Sequence, residues 1–433
     1  MSGSRAPGAL ARVSADAPQV LVAGGGMITA DLILPSLYHL QRLGRIGGIT
    51  VCARGSASLR ALAQNESIRA AFPGSSFTAQ PPLSTPPERR TAGTFAEQVQ
   101  RLSPRQIVVI AVPDQAHHEL VMRALESSQH VICVKPLVLR GDQARQIDEE
   151  AKRRGLFVGV EYHKRFDRRS LVARRDYRAG RFGELRFGEA RLMEPYAYRR
   201  SNFQNWFLPE ETDPFAYVGC HYVDLVQFIT GLRPVEVAVS GVRGRFPNGN
   251  EGILWSLGTV RWENGALLSV SNGLGYPDLA AGSNDQGLVM YCEGPGASGM
   301  IRHDDHQRGV IHSYVEGTTP GGARYGYVSP DFFRLVPWDG EGLRPVGYGF
   351  DSIEALVEAA RRVDSAADGL AGQEDVEARA AVLRAIDEAG FLATPSNSAA
   401  DDLVVEAGRR SILDGGRPMR IDWSGPVPRV LPA

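Results

Sequence analysis

Val20-Leu21-Val22-Ala23-Gly24-Gly25-Gly26-Met27-Ile28-Thr29 is the stretch on which the reading of the fold turns. A short apolar run ends in a glycine cluster and passes at once into residues of helical character. Gly24 permits a tight strand-to-helix turn, and Gly26 lets the backbone approach a pyrophosphate. Met27 and Ile28 sit in the first turn beyond, where unpaired N–H groups and the positive end of the helix dipole face an anion. Thr29 stands where the usual glycine pattern has its third glycine. Taken alone the cluster also suits an ordinary tight turn, so the rest of the chain has to decide.

The chain has 433 residues, enough for two or three domains. Hydrophobic residues make up 43% and charged residues 22%, the texture of a globular protein. With a formal net charge of −1 the chain carries no electrostatic footprint for nucleic acid or for a membrane surface. Cys52, Cys133, Cys220 and Cys292 are scattered without a CxxC pair, as expected of buried thiols in a reducing compartment. No apolar run approaches the roughly 18 residues of a membrane helix. Residues 1–17 lack the apolar stretch of a secretory signal and are expected to be a disordered tail. The expected location is cytoplasmic.

Beyond the opening strand, strand and helix signals alternate. Strands are expected at Gln19–Ala23, Ile49–Ala53, Gln106–Ala111, Val131–Val134 and Phe157–Val160, with helices between them, one running unbroken from Ser56 to about Ala71. Near-continuous apolar strands in such alternation imply a buried parallel sheet. After residue 160 the strands lengthen (Leu185–Leu192, Val235–Val242, Ile253–Trp262, Ala266–Asn272, Leu288–Cys292), with a helix over Val218–Ile229 and mostly helical sequence from Ser352 to Leu413. The expected fold is α/β: a Rossmann doubly wound parallel sheet over residues 18–160, then an α/β domain with a large, mostly antiparallel open sheet over residues 161–422 that includes the C-terminal helices, and a tail at 423–433.

Three further segments carry chemistry. Ala111-Val112-Pro113-Asp114-Gln115-Ala116-His117-His118 follows the C-terminal end of a parallel strand, where doubly wound sheets bind ligands; Pro113 can abut a nicotinamide ring and His117 can order the loop. Val134-Lys135-Pro136 places a lysine directly after a buried strand, a costly position unless the ammonium meets a polar partner. Such a lysine can polarise a reacting hydroxyl. Tyr217-Val218-Gly219-Cys220-His221-Tyr222-Val223-Asp224 puts Tyr217, His221 and Asp224 at helical spacing on one face, so His221 is expected to be a proton acceptor held by a carboxylate.

Together these four segments resemble the glucose–fructose oxidoreductase / inositol dehydrogenase / rhizopine catabolism family of NAD(P)-dependent oxidoreductases. The resemblance runs from about Val20 to Asp422 and includes Gly183-Glu184-Leu185 and the closing Ser411-Ile412-Leu413-Asp414-Gly415-Gly416-Arg417-Pro418. It implies that Lys135 matches the lysine of the family's Glu-Lys-Pro motif and that His221 matches its catalytic histidine. It also implies self-association through the open sheet, as a homodimer or homotetramer. Two positions depart from the pattern. Val134 replaces the usual glutamate, and Tyr217 stands where many members have aspartate, as a catalytic or a sugar-stacking residue.

The second strand ends Cys52-Ala53-Arg54-Gly55-Ser56 without the carboxylate that bonds the ribose hydroxyls in NAD-specific sites. Arg54 and Ser56 are expected to favour NADP(H) over NAD(H). The expected substrate is a sugar, cyclitol or related polyol, or the matching ketone, interconverted by hydride transfer. The segment 191–213, with Glu194, Tyr198, Asn202 and Trp206, is the expected substrate wall, and Tyr198, Asn202, Trp206, Tyr217, His221 and Lys135 are its expected contacts. Two other activities fit the same residues: a redox-neutral enzyme that oxidises a sugar carbon transiently with a tightly held cofactor, and a non-catalytic nucleotide sensor. His303-Asp304-Asp305-His306 is read as a loop without a metal.

Overall fold

The computed structural model describes residues 17–91, 93–280, 284–294, 297–304, 313–316, 324–327 and 332–433. The proposed N-terminal tail lies almost wholly outside them. Strands β1 (Val20–Ala23), β2 (Ile49–Cys52), β3 (Thr78–Gln80), β4 (Ile107–Ile110), β5 (His130–Val134) and β6 (Val158–Glu161) form one sheet in the order β3-β2-β1-β4-β5-β6. All of its described pairings are parallel. Strands β1, β4, β5 and β6 are buried along their whole length, which is why they are apolar without alternation. The order reverses between β1 and β4, so a crevice opens there at the strands' C-terminal ends. The short edge strand β3 was not foreseen.

Two helical segments differ from expectation for local reasons. The helix expected from Ser56 to Ala71 is two helices, Ser56–Ala63 and Glu66–Ala71, because the Asn65 side chain accepts the Ile68 N–H at 3.0 Å and caps a new start. After the glycine cluster the chain makes a π-turn over Thr29–Ile33 before the α-helix Leu34–Arg42 begins. Pro35 thus falls in the first α-turn, where its missing N–H is least costly.

The second half contains β7 (Glu184–Pro195), β8 (Pro234–Arg245), β9 (Glu251–Trp262), β10 (Leu267–Tyr276), β11 (Asp285–Gly294), β12 (Ala297–Asp304), the hairpins β13–β14 (Ser313–Glu316, Arg324–Tyr327) and β15–β16 (Arg334–Pro337, Leu343–Val346), β17 (Met419–Asp422) and β18 (Arg429–Pro432). The large sheet runs β12-β11-β7-β10-β9-β8-β17-β18, antiparallel except for the β10–β7 pair. The expected tail at 423–433 is therefore corrected: Arg429–Pro432 is the sheet's edge strand, paired with β17. The loop expected at His303-Asp304 is likewise the end of β12, with His303 buried and bonded through Nε2 to Asp167 at 3.0 Å. Asp305 and His306 lie outside the described residues.

One face of this sheet packs on the helices Cys220–Thr230 and Ala399–Leu413 through Val223, Val226, Val239, Val260, Val404 and Ala407. Among the described residues the other face is exposed. In register across three strands it carries Phe187, Tyr291 and Met300, with Val242 and Leu257 further along, all more than a third exposed. The helix Tyr348–Ser365, expected within the second domain, instead shares the core of the parallel sheet: Ile353, Leu356 and Val357 pack with Val20, Ile107 and Ile132. Burial of its apolar stripe there outweighs its position in the chain, and it brings Ser352 to the end of β6. All four cysteines are free and buried, and no described helix is long and apolar enough to cross a membrane.

Candidate active site

The glycine turn is built as a dinucleotide would require. Gly24 has φ +109°, and a Cβ there would stand 2.0 Å from the Ala111 carbonyl oxygen, so no other residue fits. Its own carbonyl accepts the Thr29 hydroxyl at 2.8 Å. Thr29 thereby closes the loop from the position where a glycine is usual. A Cβ at Gly26 would meet nothing within 4 Å. That open space in front of the helix start, with Met27 exposed and Ile28 half-buried beside it, fits a pyrophosphate.

At the end of β2 the two residues expected to meet a 2′-phosphate part company. The Arg54 side chain is exposed, and Arg90 lies close to Gly55 next to it. Ser56 is fully buried and its hydroxyl donates to the Thr85 carbonyl at 2.6 Å. Its single proton is spent on the loop, so the expected role of Ser56 as a phosphate donor is corrected.

His117 orders its loop, as expected. Its ring is fully buried, with Nδ1 2.8 Å from the Pro136 carbonyl oxygen and Nε2 2.9 Å from that of Val112. Both nitrogens are occupied by backbone, so His117 clamps the loops after β4 and β5 together and has none left for a cofactor. Pro113 is half-buried on the loop so clamped. Beside it Asp114 is buried and accepts the Thr212 hydroxyl at 2.9 Å. Burial pushes its carboxyl up, while His117 and Lys135 act against that.

Lys135 emerges from β5 into the crevice. Its ammonium donates to the Tyr217 carbonyl oxygen at 2.6 Å and lies 4.0 Å from the centre of the Tyr217 ring. Tyr217 belongs to a π-turn, Phe215–Gly219, that precedes the helix Cys220–Thr230. The wide turn delivers both its carbonyl and its ring to the lysine. Phe203, Trp206 and Phe207 pack edgewise on that ring at centroid distances of 5.2, 5.7 and 5.7 Å. Burial, Asp114 and Glu194 hold the Tyr217 hydroxyl well above the usual tyrosine range, which opposes a phenolate base.

His221, one turn further on, is 6% exposed, and its Nδ1 is buried without a hydrogen-bond partner among the described residues. Burial, then Lys135, His163 and Lys164, hold its imidazole far below the usual histidine range, and so neutral. The carboxylate expected to orient it does not. Asp224 instead accepts from Arg165 Nε at 2.9 and 3.0 Å in a fully buried ion pair. An arginine with nowhere else to discharge its burial cost wins the aspartate from a neutral imidazole.

The expected substrate wall is partly assembled. Tyr198 and Trp206 join the Phe203 cluster, Tyr198 at 4.9 Å. Glu194, at the end of β7, meets Tyr198, Asn284, Lys135 and Lys164; burial pushes its carboxyl up and those groups pull it back. Lys164 is buried and donates to Gln286 Oε1 at 2.8 Å. Asn202 is exposed, its side-chain oxygen accepting from Asn205 at 3.0 Å, and no described contact ties it to Lys135 or His221. Lys164 and His163 were missed, because Glu161-Tyr162-His163-Lys164 in sequence looks like an ordinary strand end. Their signal was the cost of charge directly after a buried strand, the same argument that singled out Lys135.

Residues 19–162 match the family described as "Oxidoreductase family, NAD-binding Rossmann fold" and residues 171–293 the "GFO/IDH/MocA C-terminal domain". The chain belongs to the Gfo/Idh/MocA oxidoreductase family. Among family relatives, Escherichia coli D-glucoside 3-dehydrogenase is 27% identical over 135 residues, 30% of this chain and 37% of that protein. Ensifer adhaerens 1,5-anhydro-D-fructose reductase is 28% identical over 37% of this chain and 48% of its own length. Levoglucosan dehydrogenase of Pseudarthrobacter phenanthrenivorans is 22% identical over 61% and 74%. The chain thus spans less than half of the first two. Among solved structures, GenD2 from gentamicin A biosynthesis in complex with NAD superposes with a TM-score of 0.62 at 17% identity, over 97% of this chain and all of that one. Myo-inositol 2-dehydrogenase from Lactobacillus plantarum gives 0.61 at 13% identity, over 94% and 100%. At those identities the likeness is one of fold.

Proposed function

We propose that this protein is a dehydrogenase that moves a hydride between a nicotinamide cofactor, NADP(H) in preference to NAD(H), and a secondary alcohol or ketone of a sugar, cyclitol or related polyol. The observation that carries the reading is the convergence of Lys135 and His221 at the C-terminal end of the parallel sheet, beside a glycine turn with open space in front of Gly26. Gly24, Gly26, Met27 and Ile28 would hold the pyrophosphate, Arg54 the 2′-phosphate, and Pro113 would abut the nicotinamide.

When bound, the nicotinamide supplies the hydride acceptor or donor. The residues supply the rest. Lys135, fixed by the Tyr217 carbonyl and ring, polarises the reacting oxygen. His221, kept neutral, takes the hydroxyl proton, a step of about 10²–10⁴ in rate. Tyr198, Trp206 and Tyr217 give apolar ring surface, and Glu194 accepts hydrogen bonds from neighbouring hydroxyls. The activities for which the relatives are named, D-glucoside 3-dehydrogenase, 1,5-anhydro-D-fructose reductase and levoglucosan dehydrogenase, support a pyranose-sized substrate. The exposed apolar face of the large sheet supports a homodimer or homotetramer, and four free buried cysteines suit a reducing, cytoplasmic setting.

Fluorescence titration of the cofactor-stripped protein with NADPH and NADH, followed by a screen of sugars and cyclitols for nicotinamide absorbance change, tests this. Tighter NADPH binding and turnover of a polyol are the expected results. Failure to bind either cofactor overturns the reading.

A further inference from the structure

The loop after β3 carries two arginines, Arg89 and Arg90, to the end of β2. Residues 81–91 run Pro-Pro-Leu-Ser-Thr-Pro-Pro-Glu-Arg-Arg-Thr, and four prolines among them narrow the conformations the loop can take. It is also tied in both halves to the helix Ser56–Ala63 and the residues before it. In the first half, Ser56 Oγ donates to the Thr85 carbonyl at 2.6 Å, and Arg60 donates to the carbonyls of Leu83 and Thr85 at 2.6 and 2.7 Å. At the far end the Thr91 N–H donates to the Arg54 carbonyl at 2.9 Å. Between these ties the chain folds over Gly55. A Cβ there would stand 3.4 Å from the Arg89 carbonyl oxygen, 3.5 Å from Arg90 Nη1 and 3.7 Å from Arg90 Cδ. Gly55 is buried, whereas Arg54, Arg89 and Arg90 are exposed.

Two segments separated in sequence thus bring Arg54 and Arg90 together at Gly55. Among the described residues the guanidiniums of Arg54, Arg89 and Arg90 have no carboxylate partner, and the loop's own acid, Glu88, is exposed and in no ion pair. Exposed arginines elsewhere do have one: Arg140 with Asp142, Arg175 with Asp176, Arg233 with Glu263. Guanidiniums gathered without a counter-charge repel one another, and an anion that bridges them removes that cost. At this end of a doubly wound sheet the arriving ligand is the adenosine ribose of a dinucleotide. Lys135 leaves β5, with β1 and β4 lying between it and β2. At the usual strand spacing that is roughly 14 Å, so a phosphate on a sugar held at Lys135 falls short of Arg90.

We propose that Arg90 grips the 2′-phosphate of NADP(H) beside Arg54, and is thereby a specificity-determining residue for the cofactor. Each guanidinium presents a planar fork of N–H donors that matches phosphate oxygens. A phosphate monoester carries about 1.5–2 negative charges at pH 7, more than one guanidinium balances. The ribose 2′-hydroxyl of NAD(H) offers neither arginine a charge. Because the loop is already tied to the helix Ser56–Ala63, little backbone entropy is lost when the phosphate binds.

The inference rests on the NADP(H) preference proposed above, and its test reads binding, not turnover. Wild type, R54A, R90A and R90K are titrated calorimetrically with NADPH, NADH, adenosine 2′,5′-bisphosphate and 5′-AMP. R90A is expected to lose about fivefold or more in affinity for NADPH and for the bisphosphate, and to bind NADH and 5′-AMP within about twofold of wild type. It is expected to melt within a few degrees of wild type, as an exposed side chain should. R90K, which keeps the charge without the fork, is expected to fall between the two. In wild type, NADPH affinity is expected to fall more steeply with salt than NADH affinity, a measurement that needs no variant to fold. A wild-type ratio of NADPH to NADH affinity in R90A, an equal loss of both cofactors there, or parallel salt dependence of the two overturns the role of Arg90. If R54A alone loses the ratio, the NADP(H) preference stands without Arg90. Wild-type protein that binds NADPH no tighter than NADH overturns both.

Discussion

The Lys135 ammonium and the Tyr217 backbone form a fixed unit: Nζ donates to the Tyr217 carbonyl at 2.6 Å while sitting 4.0 Å from the ring centre. The lysine is anchored by a backbone carbonyl and an aromatic face. Its position is thus set by the π-turn Phe215–Gly219.

Tyr217→Phe keeps both the carbonyl and the ring. It is expected to hold kcat within about threefold of wild type, whereas Tyr217→Ala removes a cation–π contact of about 0.5–2 kcal/mol and opens a cavity in the aromatic cluster. Y217A is expected to lower kcat tenfold or more and to lower the melting temperature. Steady-state kinetics beside thermal melts separate the two, and a large kcat loss in Y217F would restore a proton-transfer role to the hydroxyl.

Gly24 and Gly26 are predicted to fail differently. At Gly24 a methyl group collides with the Ala111 carbonyl at a positive φ, so G24A is expected to cost more than about 2 kcal/mol of stability. At Gly26 a Cβ meets open space. G26A is expected to melt within a few degrees of wild type and to lose tenfold or more in nicotinamide-dinucleotide affinity. Equal affinity in G26A would show that the pyrophosphate lies elsewhere.

Arg54 and Ser56, adjacent in sequence, are predicted to separate as well. R54A is expected to weaken NADPH binding at least tenfold and NADH binding little, since a charge-assisted contact to phosphate is lost. S56A is expected to leave the ratio of the two affinities unchanged and to cost about 0.5–1.5 kcal/mol in stability, because one hydrogen bond to the half-buried Thr85 carbonyl is lost while Arg60 still donates to it at 2.7 Å. Parallel titrations and chemical denaturation check both.

What the sequence made legible follows from how local each signal is. The glycine turn, the parallel strands and Lys135 at a strand end are each decided within about ten residues, and each is where it was expected. The strands β3, β17 and β18 escaped because a three- or four-residue strand draws its stability from the strand it pairs with, which its own few residues do not show. Asp224 was matched to His221 by helical spacing. The stronger claim of Arg165, 59 residues upstream, is visible only once the helix Cys220–Thr230 lies against the turn after β6. Ser56 was read as a ligand contact on residue type, and its hydroxyl is consumed by the Thr85 carbonyl, which the sequence does not place.

That buried pair yields its own prediction. Removing the Asp224 charge leaves the Arg165 guanidinium uncompensated, so D224N is expected to cost about 3–5 kcal/mol in unfolding experiments. A histidine–carboxylate dyad would predict a small stability change and a displaced pH profile instead. A destabilised but catalytically ordinary D224N, measured at a temperature where it remains folded, would confirm that Asp224 serves the fold.

Asp402, in the first turn of the helix Ala399–Leu413, is 1% exposed, and burial raises its carboxyl to about 8. Its Oδ1 accepts the Val138 N–H at 3.2 Å, and its Oδ2 is buried without a partner, the arrangement of a neutral acid. The folded state therefore keeps a proton that the unfolded chain releases above about pH 4. Stability supplied by the neutral form is complete below pH 4, falls as the pH rises, and levels off near pH 8, at no more than about 1.4 kcal/mol per pH unit for one group. Asparagine reproduces the neutral shape and keeps an oxygen for Val138. D402N is thus expected to match wild type at or just below pH 4, to exceed it at pH 8, and to show a shallower fall in denaturation midpoint between those values. Identical slopes would mean that Asp402 is ionised in the folded protein.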